Sequence, residues 1–295
     1  MEGDAIMDSG TLQVLLQDST RLVSHLQQTL ISHMRRNGSA YQAETAYGKS
    51  SAVLLTLTCH RVKPNPSPEV CLVLNKRSSA VRQPGDLCYP GGGLAVKDRL
   101  LAGLLRLPGS PLAKWAGWPT WRRTRKVQAR EISRLLATGM REAWEEMRLN
   151  PLRVRFLGAL PVQRLIMFDR LIYPLVGWLA PRQQFKTNWE VARIVYIPLR
   201  RLLAVRQYGR YRLKIAADKY QALHKQDFPC FVHRDARGEE VLWGATYRIT
   251  QDLLRIGFDF QPPAMDQLTV IKGHLDRTYL SGSRWEADRP YAPGK

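Results

Sequence analysis

The residues best suited to chemistry are three glutamates on one short segment. Glu142, Glu145 and Glu146 stand at positions i, i+3 and i+4 directly after Arg141. On a helix this spacing brings three carboxylates onto nearly one face, where they repel one another unless a cation neutralises them. Carboxylate oxygens suit Mg²⁺ or Mn²⁺, and Arg141 could hold one carboxylate in place. The alternative is a solvated helix face with salt bridges.

A glycine-rich turn lies upstream of the glutamates. The sequence Pro90-Gly91-Gly92-Gly93 separates a predicted strand from the helical region. Glycines let a backbone pass close beside a metal ion or a phosphate group. The 4 cysteines and 6 histidines show neither CxxC nor HExxH spacing, so a zinc site is not expected. Any metal should therefore be a hard cation held by carboxylates.

Several predicted elements must position these groups. Hydrophobic periodicity predicts helices at residues 11–34, 129–148 and 246–256, and strands at residues 51–62, 70–77, 153–162, 171–179, 191–197 and 241–244. The strands and helices follow no regular alternation. This order favours an α/β (α+β) sandwich with a mixed sheet over a Rossmann or barrel architecture.

The N-terminal helix suggests a division of the chain. We predict an amphipathic helix and linker over residues 1–45 and a main domain over residues 46–295. The helix could pack on the domain or support a homodimer. The chain has no long apolar run, and its acidic start is unlike a secretory signal. A cytoplasmic location is therefore expected.

The spacing of these motifs resembles a known family. Gly92 and Asp98, followed by Arg141-Glu142 and then Glu145-Glu146, are similar to the signature of the Nudix hydrolases, G-x5-E-x7-R-E-U-x-E-E-x-G-U. The resemblance implies an α/β/α sandwich that hydrolyses a nucleoside diphosphate linked to another group, with Mg²⁺ or Mn²⁺.

The resemblance also implies roles for individual residues. The expected metal ligands are Glu142, Glu145, Glu146 and the backbone carbonyl of Gly92. Arg141 would orient the glutamates. Glu142 could also act on the attacking water, and Glu190 is a candidate general base, although an ordinary strand-end carboxylate is an equal reading of Glu190.

A second set of residues resembles the coenzyme A diphosphatase branch of this family. Its members are Leu74 to Ser78, Arg82, Gly85, Tyr89 to Gly92, Asn188, Glu190, Val191, Ile197 to Leu199, Trp243, Gly244 and Thr246. The branch implies hydrolysis of coenzyme A to 3′,5′-ADP and 4′-phosphopantetheine. Arg77 and Arg82 would then bind phosphate, because a guanidinium contacts phosphate through two hydrogen bonds. The alternatives are NADH, ADP-ribose, a dinucleoside polyphosphate or an RNA cap.

The chain departs from the family pattern in several ways. Asp98 replaces the usual glutamate and lies 43 positions before Arg141, which implies an insertion at about residues 99–133. Glu131 is the other candidate for this acidic residue. Arg148 replaces the glycine that ends the helix, so we expect Asn150 to build the C-cap. Arg82 and Gly85 are also one residue closer together than the branch pattern, which leaves the substrate less certain than the reaction.

The charge distribution suggests an anionic partner. The chain has 45 Lys and Arg against 25 Asp and Glu, a formal charge of +20. Residues 99–134 hold nine Lys or Arg and one acid, and residues 191–226 hold nine and one. In the insertion, Trp115, Trp118 and Trp121 could stack on nucleic-acid bases or pack on the domain. A third use is docking of the leucine-rich residues 100–107 and the basic residues on an anionic membrane.

Overall fold

The computed structural model describes residues 9–37, 49–63, 65, 67–165, 170–181, 183–215, 227–275 and 279. No helix within these ranges combines the length and the hydropathy needed to cross a membrane. The cytoplasmic location stays a prediction. The linker before residue 46 lies mostly outside the described residues, so the predicted division into residues 1–45 and 46–295 also stays a prediction.

Helices and strands alternate irregularly along the described chain, as the sequence predicts. The helices are α1 (Ser9–Gln17), α2 (Ser19–Arg36), α3 (Asp98–Leu104), α4 (Trp118–Thr124), α5 (Lys126–Met147), α6 (Leu199–Leu202) and α7 (Gly244–Phe258). The strands are β1 (Ser50–His60), β2 (Glu69–Arg77), β3 (Leu87–Cys88), β4 (Gly91–Gly93), β5 (Val154–Ala159), β6 (Gln163–Leu165), β7 (Arg170–Leu179), β8 (Val191–Pro198), β9 (Tyr208–Ile215), β10 (Asp227–Asp235), β11 (Gly238–Leu242) and β12 (Val270–Leu275).

Two mixed sheets organise the described strands. The larger has the order β3-β2-β1-β7-β5, with β4 paired to β1, β6 to β7 and β8 to β2. Within it β1 and β7 are parallel and the other pairs are antiparallel. The smaller sheet has the order β11-β10-β9-β12, with β9 and β12 parallel.

Side chains of the large sheet alternate between two hydrophobic layers. On β1, Leu55 and Leu57 enter one layer together with residues of α2 and α7. Ala52 and Leu54, on the opposite face, enter the other layer with residues of α4 and α5. Period-two alternation thus places helices on both faces of the sheet. The predicted α/β/α sandwich with a mixed sheet is confirmed.

The N-terminal helix is interrupted, and the prediction of one helix over residues 11–34 is wrong at Asp18. The Asp18 carboxylate accepts hydrogen bonds from the backbone N–H groups of Thr20 and Arg21, which makes Asp18 the N-cap of α2. Beyond the cap, α2 buries its apolar stripe, including Leu22 and Leu26, within the chain. The stripe that suggested a second subunit is therefore already packed, and the homodimer stays a prediction.

The three tryptophans of the insertion are buried. Trp115 donates a hydrogen bond from Nε1 to the carbonyl of Leu157 at 3.0 Å, and its ring lies 5.2 Å from that of Phe156. Trp118 and Trp121 belong to the same hydrophobic layer. These rings attach the insertion to the sheet and are not available for stacking on bases.

The second basic stretch is largely neutralised by acidic side chains. Arg193 pairs with Asp235 at 2.8 Å and with Glu240 at 2.6 Å, and Arg212 pairs with Asp227 at 2.7 Å. These pairs lie on β8 and the small sheet, of which β9, β10 and β12 were not predicted from sequence. Much of the charge in residues 191–215 therefore has partners within the chain.

Candidate active site

Arg141 is the centre of the acidic cluster. Its side chain is largely buried, and its guanidinium contacts groups from three segments. It donates to Asp98 Oδ1 at 2.6 Å, Glu142 Oε1 at 2.7 Å, Glu145 Oε2 at 3.2 Å and the Gly93 carbonyl at 3.1 Å. One arginine thus joins α5 to β4 and to the start of α3. Its role in orienting the glutamates for a reaction stays a prediction.

Asp98 fixes the position of this arginine. Its carboxylate is fully buried and also accepts from Thr138 Oγ1 at 2.7 Å and from the Ala95 N–H at 2.8 Å. Burial alone would raise the pKa of Asp98, but the hydrogen bonds from Arg141, Ala95 and Thr138 outweigh it and lower that pKa. Asp98 is therefore held as a carboxylate.

The structure distinguishes the two candidates for the upstream acid. Glu131 pairs with Arg134, one turn further along α5, at 2.8 Å. Asp98, although 43 positions away in sequence, is the acid that reaches Arg141. The insertion separates these two residues along the chain and leaves them in contact in the fold.

Gly92 leaves room for the carboxylate of Glu142. A Cβ built on Gly92 would lie 2.4 Å from Glu142 Oε1 and 2.5 Å from Cδ. Burial raises the pKa of Glu142, Arg141 opposes this, and the charges of Glu145 and Glu190 raise it further. A side chain at position 92 would collide with Glu142. Glycine is therefore required here by this close approach and not by the local backbone conformation.

Glu146 is the most enclosed of the three glutamates. It accepts from Asn75 Nδ2 at 2.6 Å and from the Gly91 N–H at 3.2 Å. The pKa of Glu146 is raised to about 7. Burial is the largest cause and the charges of Glu142 and Glu190 add to it, whereas the two hydrogen bonds partly oppose it. The contacts fix this carboxylate between β2, β4 and α5.

Glu145 is more exposed and is held by cations. Lys97 Nζ lies 2.9 Å from its Oε1, and Arg141 contacts its Oε2. Burial alone would raise the pKa of Glu145, but the hydrogen bonds and charges of Lys97 and Arg141 together outweigh it and lower that pKa. Glu145 is thus the glutamate that faces solvent.

Glu190 lies beside the cluster. Its charge raises the pKa of both Glu142 and Glu146, so the three carboxylates share one electrostatic environment. Asn188 connects them physically, because its N–H donates to the Glu146 carbonyl and its Oδ1 accepts from the Glu190 N–H, both at 2.9 Å. Its role as a general base stays a prediction.

Arg77 and Arg82 lie on one loop at the end of β2. Arg77 Nε donates to the Arg82 carbonyl at 2.7 Å, and the Ser78 N–H donates to the Glu190 carbonyl at 2.8 Å. The loop therefore starts beside Glu190. Phosphate binding by the two arginines stays a prediction.

The end of α5 differs from the expected C-cap. Arg148 itself adopts the left-handed conformation, with φ of 53°, and its N–H donates to the carbonyls of Ala143 and Trp144. Asn150 instead caps the following short turn by accepting from the Leu152 N–H at 3.0 Å. The prediction that Asn150 caps α5 is wrong. Stacking of the Arg148 guanidinium over the Trp144 ring, 5.3 Å from its centroid, accompanies a conformation that non-glycine residues adopt uncommonly.

The donor chemistry of the cluster fits a hard cation. Among the described residues, no three His, Cys, Asp or Glu side chains converge as a ready set of ligands. The glutamates are hydrogen-bonded to different side chains, which are those of Arg141, Lys97 and Asn75, and do not point to one common centre. The donors are nevertheless all oxygens, which Mg²⁺ and Mn²⁺ prefer, and the gap at Gly92 keeps backbone close to a carboxylate.

Sequence reasoning gave no role to three residues that support the site. Asn75, Lys97 and Thr138 each hold a member of the cluster. Asn75 had a detectable signal, because it directly follows the apolar run of residues 70–74 in β2 and is itself buried. Such a side chain requires a hydrogen-bond partner, although the sequence does not show which.

A second polar group lies beyond the loop, around Asp86. This carboxylate accepts from Trp243 Nε1 at 3.1 Å and from the Tyr279 hydroxyl. Together with Lys76 and Tyr211 these residues line a cavity of about 270 Å³. Burial raises the pKa of Asp86 to about 6, and the two hydrogen bonds and Arg77 partly oppose it.

We expect Asp86 to make stability depend on pH. A folded-state pKa above the unfolded value means that the folded state binds the proton of Asp86 more tightly than the unfolded state does. The stabilisation from this proton is complete below about pH 4 and is lost as the pH rises through about 6. Relative to Asp86→Asn, the wild type should lose up to about 3 kcal/mol of unfolding free energy between pH 4 and 7. Urea unfolding at each pH measures the difference. Asp266→Asn, at an exposed position, is the matched control, and a wild-type-minus-Asp86→Asn difference that does not change with pH would contradict the expectation.

Comparison with known proteins finds sequence relatives that share a family name. No protein-family model matches the chain. The chain is 26% identical over 207 residues to a Pectobacterium atrosepticum protein named uncharacterized Nudix hydrolase NudL, an overlap of 70% of this chain and 81% of that protein. A Photorhabdus laumondii protein of the same name is 28% identical over 163 residues, which cover 54% of this chain and 64% of that protein. Both of these relatives are named as Nudix hydrolases, and the chain is similar to them at only 26% and 28% identity.

Solved structures align with parts of the chain at low scores. A NUDIX hydrolase from Alicyclobacillus acidocaldarius gives a TM-score of 0.35 with 17% identity over 55% of this chain and 83% of that one. A MutT/nudix family protein from Enterococcus faecalis gives 0.38 with 9% identity over 78% and 67%. Likeness at this level has no bearing on the substrate.

Proposed function

We propose that this chain is a metal-dependent diphosphatase that hydrolyses coenzyme A or its derivatives to 3′,5′-ADP and 4′-phosphopantetheine. The observation that carries the proposal is the contact of Arg141 with Asp98, Glu142 and Glu145 beside the gap at Gly92. A diphosphate repels an incoming nucleophile, and a bound divalent cation screens that charge and activates water.

The chain's own residues have separate tasks in this proposal. Glu142, Glu145, Glu146 and the Gly92 carbonyl would hold Mg²⁺ or Mn²⁺. Arg141 keeps two of the carboxylates in place through hydrogen bonds of 2.7 and 3.2 Å. Glu142 or Glu190 would take a proton from the attacking water. For Glu142, the charges of Glu145 and Glu190 favour proton uptake.

The loop after β2 supports coenzyme A as the substrate. The 3′-phosphate of coenzyme A requires cationic partners. Arg77, at the end of β2, donates a hydrogen bond to the Arg82 carbonyl on this loop, and the Ser78 N–H beside it donates to the Glu190 carbonyl. A guanidinium binds phosphate through charge-assisted hydrogen bonds, which contribute about 1.5–3 kcal/mol each. Coenzyme A should therefore be preferred over its 3′-dephosphorylated form.

A substrate panel tests the proposal. Coenzyme A, acyl-coenzyme A, NADH, ADP-ribose, diadenosine polyphosphates and capped RNA are compared with Mg²⁺, with Mn²⁺ and with a chelator. We expect coenzyme A compounds to give the highest kcat/KM, one 3′,5′-ADP per turnover, and no reaction with chelator. A tenfold preference for any other member would replace the proposed substrate and retain the reaction class, whereas no metal-dependent hydrolysis of any member would overturn both.

Arg82→Ala tests the phosphate contact. The variant should raise KM for coenzyme A about tenfold and leave KM for 3′-dephospho-coenzyme A unchanged. Arg36→Ala, at an exposed position at the end of α2, is the matched control. Equal effects on both substrates would show that Arg82 does not bind the 3′-phosphate.

A further inference from the structure

The inserted segment exposes a stripe of apolar side chains. Leu100 is 78% exposed and Val96 71%, and Leu104 and Leu107 are also more than half exposed. The opposite side of α3 is anchored, because Asp98 and Ala102 are buried. Residues i and i+4 share one helix face, so attachment through Asp98 and Ala102 directs Leu100 and Leu104 outward. Soluble proteins rarely expose such a contiguous apolar stripe without a partner.

Basic residues accompany this stripe along the sequence without acidic neighbours. Residues 99–130 contain eight Lys or Arg and no Asp or Glu. Hydrogen bonds of Arg106 and Arg125 go to the backbone carbonyls of Ala102 and Arg35. The basic residues of 191–215 differ, because several of them pair with carboxylates. The insertion thus carries exposed cations, such as Arg122 and Arg123, on its surface.

The combination of leucines and cations selects one class of partner. Nucleic acid would use the aromatic rings, but Trp115, Trp118 and Trp121 are buried. A second copy would present the same positive face and be repelled. An anionic lipid surface complements both features, since apolar side chains enter the headgroup boundary while Lys and Arg attract the phosphates.

We propose that the stripe formed by Val96, Leu100, Leu104 and Leu107, with the basic residues of 99–130, docks on an anionic membrane surface. The leucines enter the headgroup layer, and exposed cations such as Arg122 and Arg123 contact the lipid phosphates. Helix α3 is anchored through Asp98, which also holds Arg141. Docking therefore brings the candidate active site close to the membrane without involving its glutamates.

Co-sedimentation of the full chain with vesicles tests the proposal and does not depend on hydrolysis. Phosphatidylcholine vesicles with and without 30% phosphatidylserine are compared at low and at high salt. We expect at least tenfold tighter binding to the anionic vesicles and a large loss of binding at high salt. Equal binding to both vesicle types, or no binding to either, would overturn the proposal.

Matched variants separate the apolar and the charged contributions. Leu100→Ser with Leu104→Ser, and separately Arg122→Glu with Arg123→Glu, should each weaken anionic vesicle binding at least tenfold without lowering the thermal midpoint. Leu152→Ser is the control, because Leu152 is also 78% exposed but lies after α5. Wild-type vesicle binding by the double serine variant, tighter binding to an RNA oligonucleotide than to vesicles, or a dimer in sedimentation that the serine variant dissociates would each reject lipid as the partner.

Discussion

Gly92→Ala is expected to lower kcat about a hundredfold and to leave the free energy of unfolding almost unchanged. The new Cβ would lie 2.4 Å from Glu142 Oε1, so the carboxylate must move away from its position 2.7 Å from Arg141. Gly92 does not have a positive φ, so alanine fits the backbone. A shift of about 1 Å in a positioned group can reduce the rate about 10²-fold.

The neighbouring glycines supply the controls for this experiment. Gly93→Ala should have almost no effect, because the nearest atom to its Cβ, Arg170 Nη1, is 3.8 Å away. Gly91→Ala should instead destabilise the fold, since its Cβ would lie 2.4 Å from the Ala52 carbonyl oxygen. Steady-state kinetics and urea unfolding of all three variants are the measurements. Full activity in Gly92→Ala would show that the position of Glu142 does not matter for the reaction.

Features of the site that depend on local spacing could be predicted from the sequence. The separation of Glu142, Glu145 and Glu146 fixes a common face once α5 forms, and the helix end at Met147 lies close to the predicted boundary. The glycine-rich turn excludes a helix for an equally local reason. Such arguments need only a few neighbouring residues, and the structure agrees with them.

Features that depend on distant contacts could not be predicted in the same way. The tryptophans of the insertion follow a pattern that suits either base stacking or packing, and contacts with Leu157 and Phe156 decide for packing. Strands β9, β10 and β12 belong to the small sheet, where basic side chains such as Arg212 are paired across strands. These strands were not recognised from the sequence, because the basic residues of a strand with ion-paired side chains are of the same types as those of a solvated basic surface.

Asp98 shows most clearly what a sequence pattern leaves open. Asp98 and Glu131 both had spacings to Arg141 unlike the family pattern, and no local rule decides between them. Asp98 becomes the partner because α3 packs on α5 and returns the carboxylate to Arg141 at 2.6 Å. Helix α3, which begins at Asp98 and continues into the insertion, therefore supports the candidate active site.

We expect Asp98→Asn to lower both the free energy of unfolding and kcat by more than Glu131→Gln does. Removing the charge of Asp98 takes one anionic partner from the largely buried Arg141, and breaking a buried pair in this way costs about 3 kcal/mol of unfolding free energy. Arg141 would keep its contacts with Glu142 and Glu145 but lose its fixed position. Loss of such a support typically lowers activity by about 10- to 100-fold. Urea unfolding and kcat measure the two effects.

Glu131→Gln is the matched control for this variant. It removes a carboxylate paired with Arg134 on the same helix, and such pairs contribute only about 1 kcal/mol or less. It should leave kcat at the wild-type value. If Glu131→Gln lowered kcat and Asp98→Asn did not, the support of Arg141 would come from Glu131, and the packing of α3 on α5 would have no part in positioning the glutamates. The opposite result would connect α3 directly to the chemistry, because the buried carboxylate of Asp98, at the first turn of α3, would then hold both this helix and Arg141.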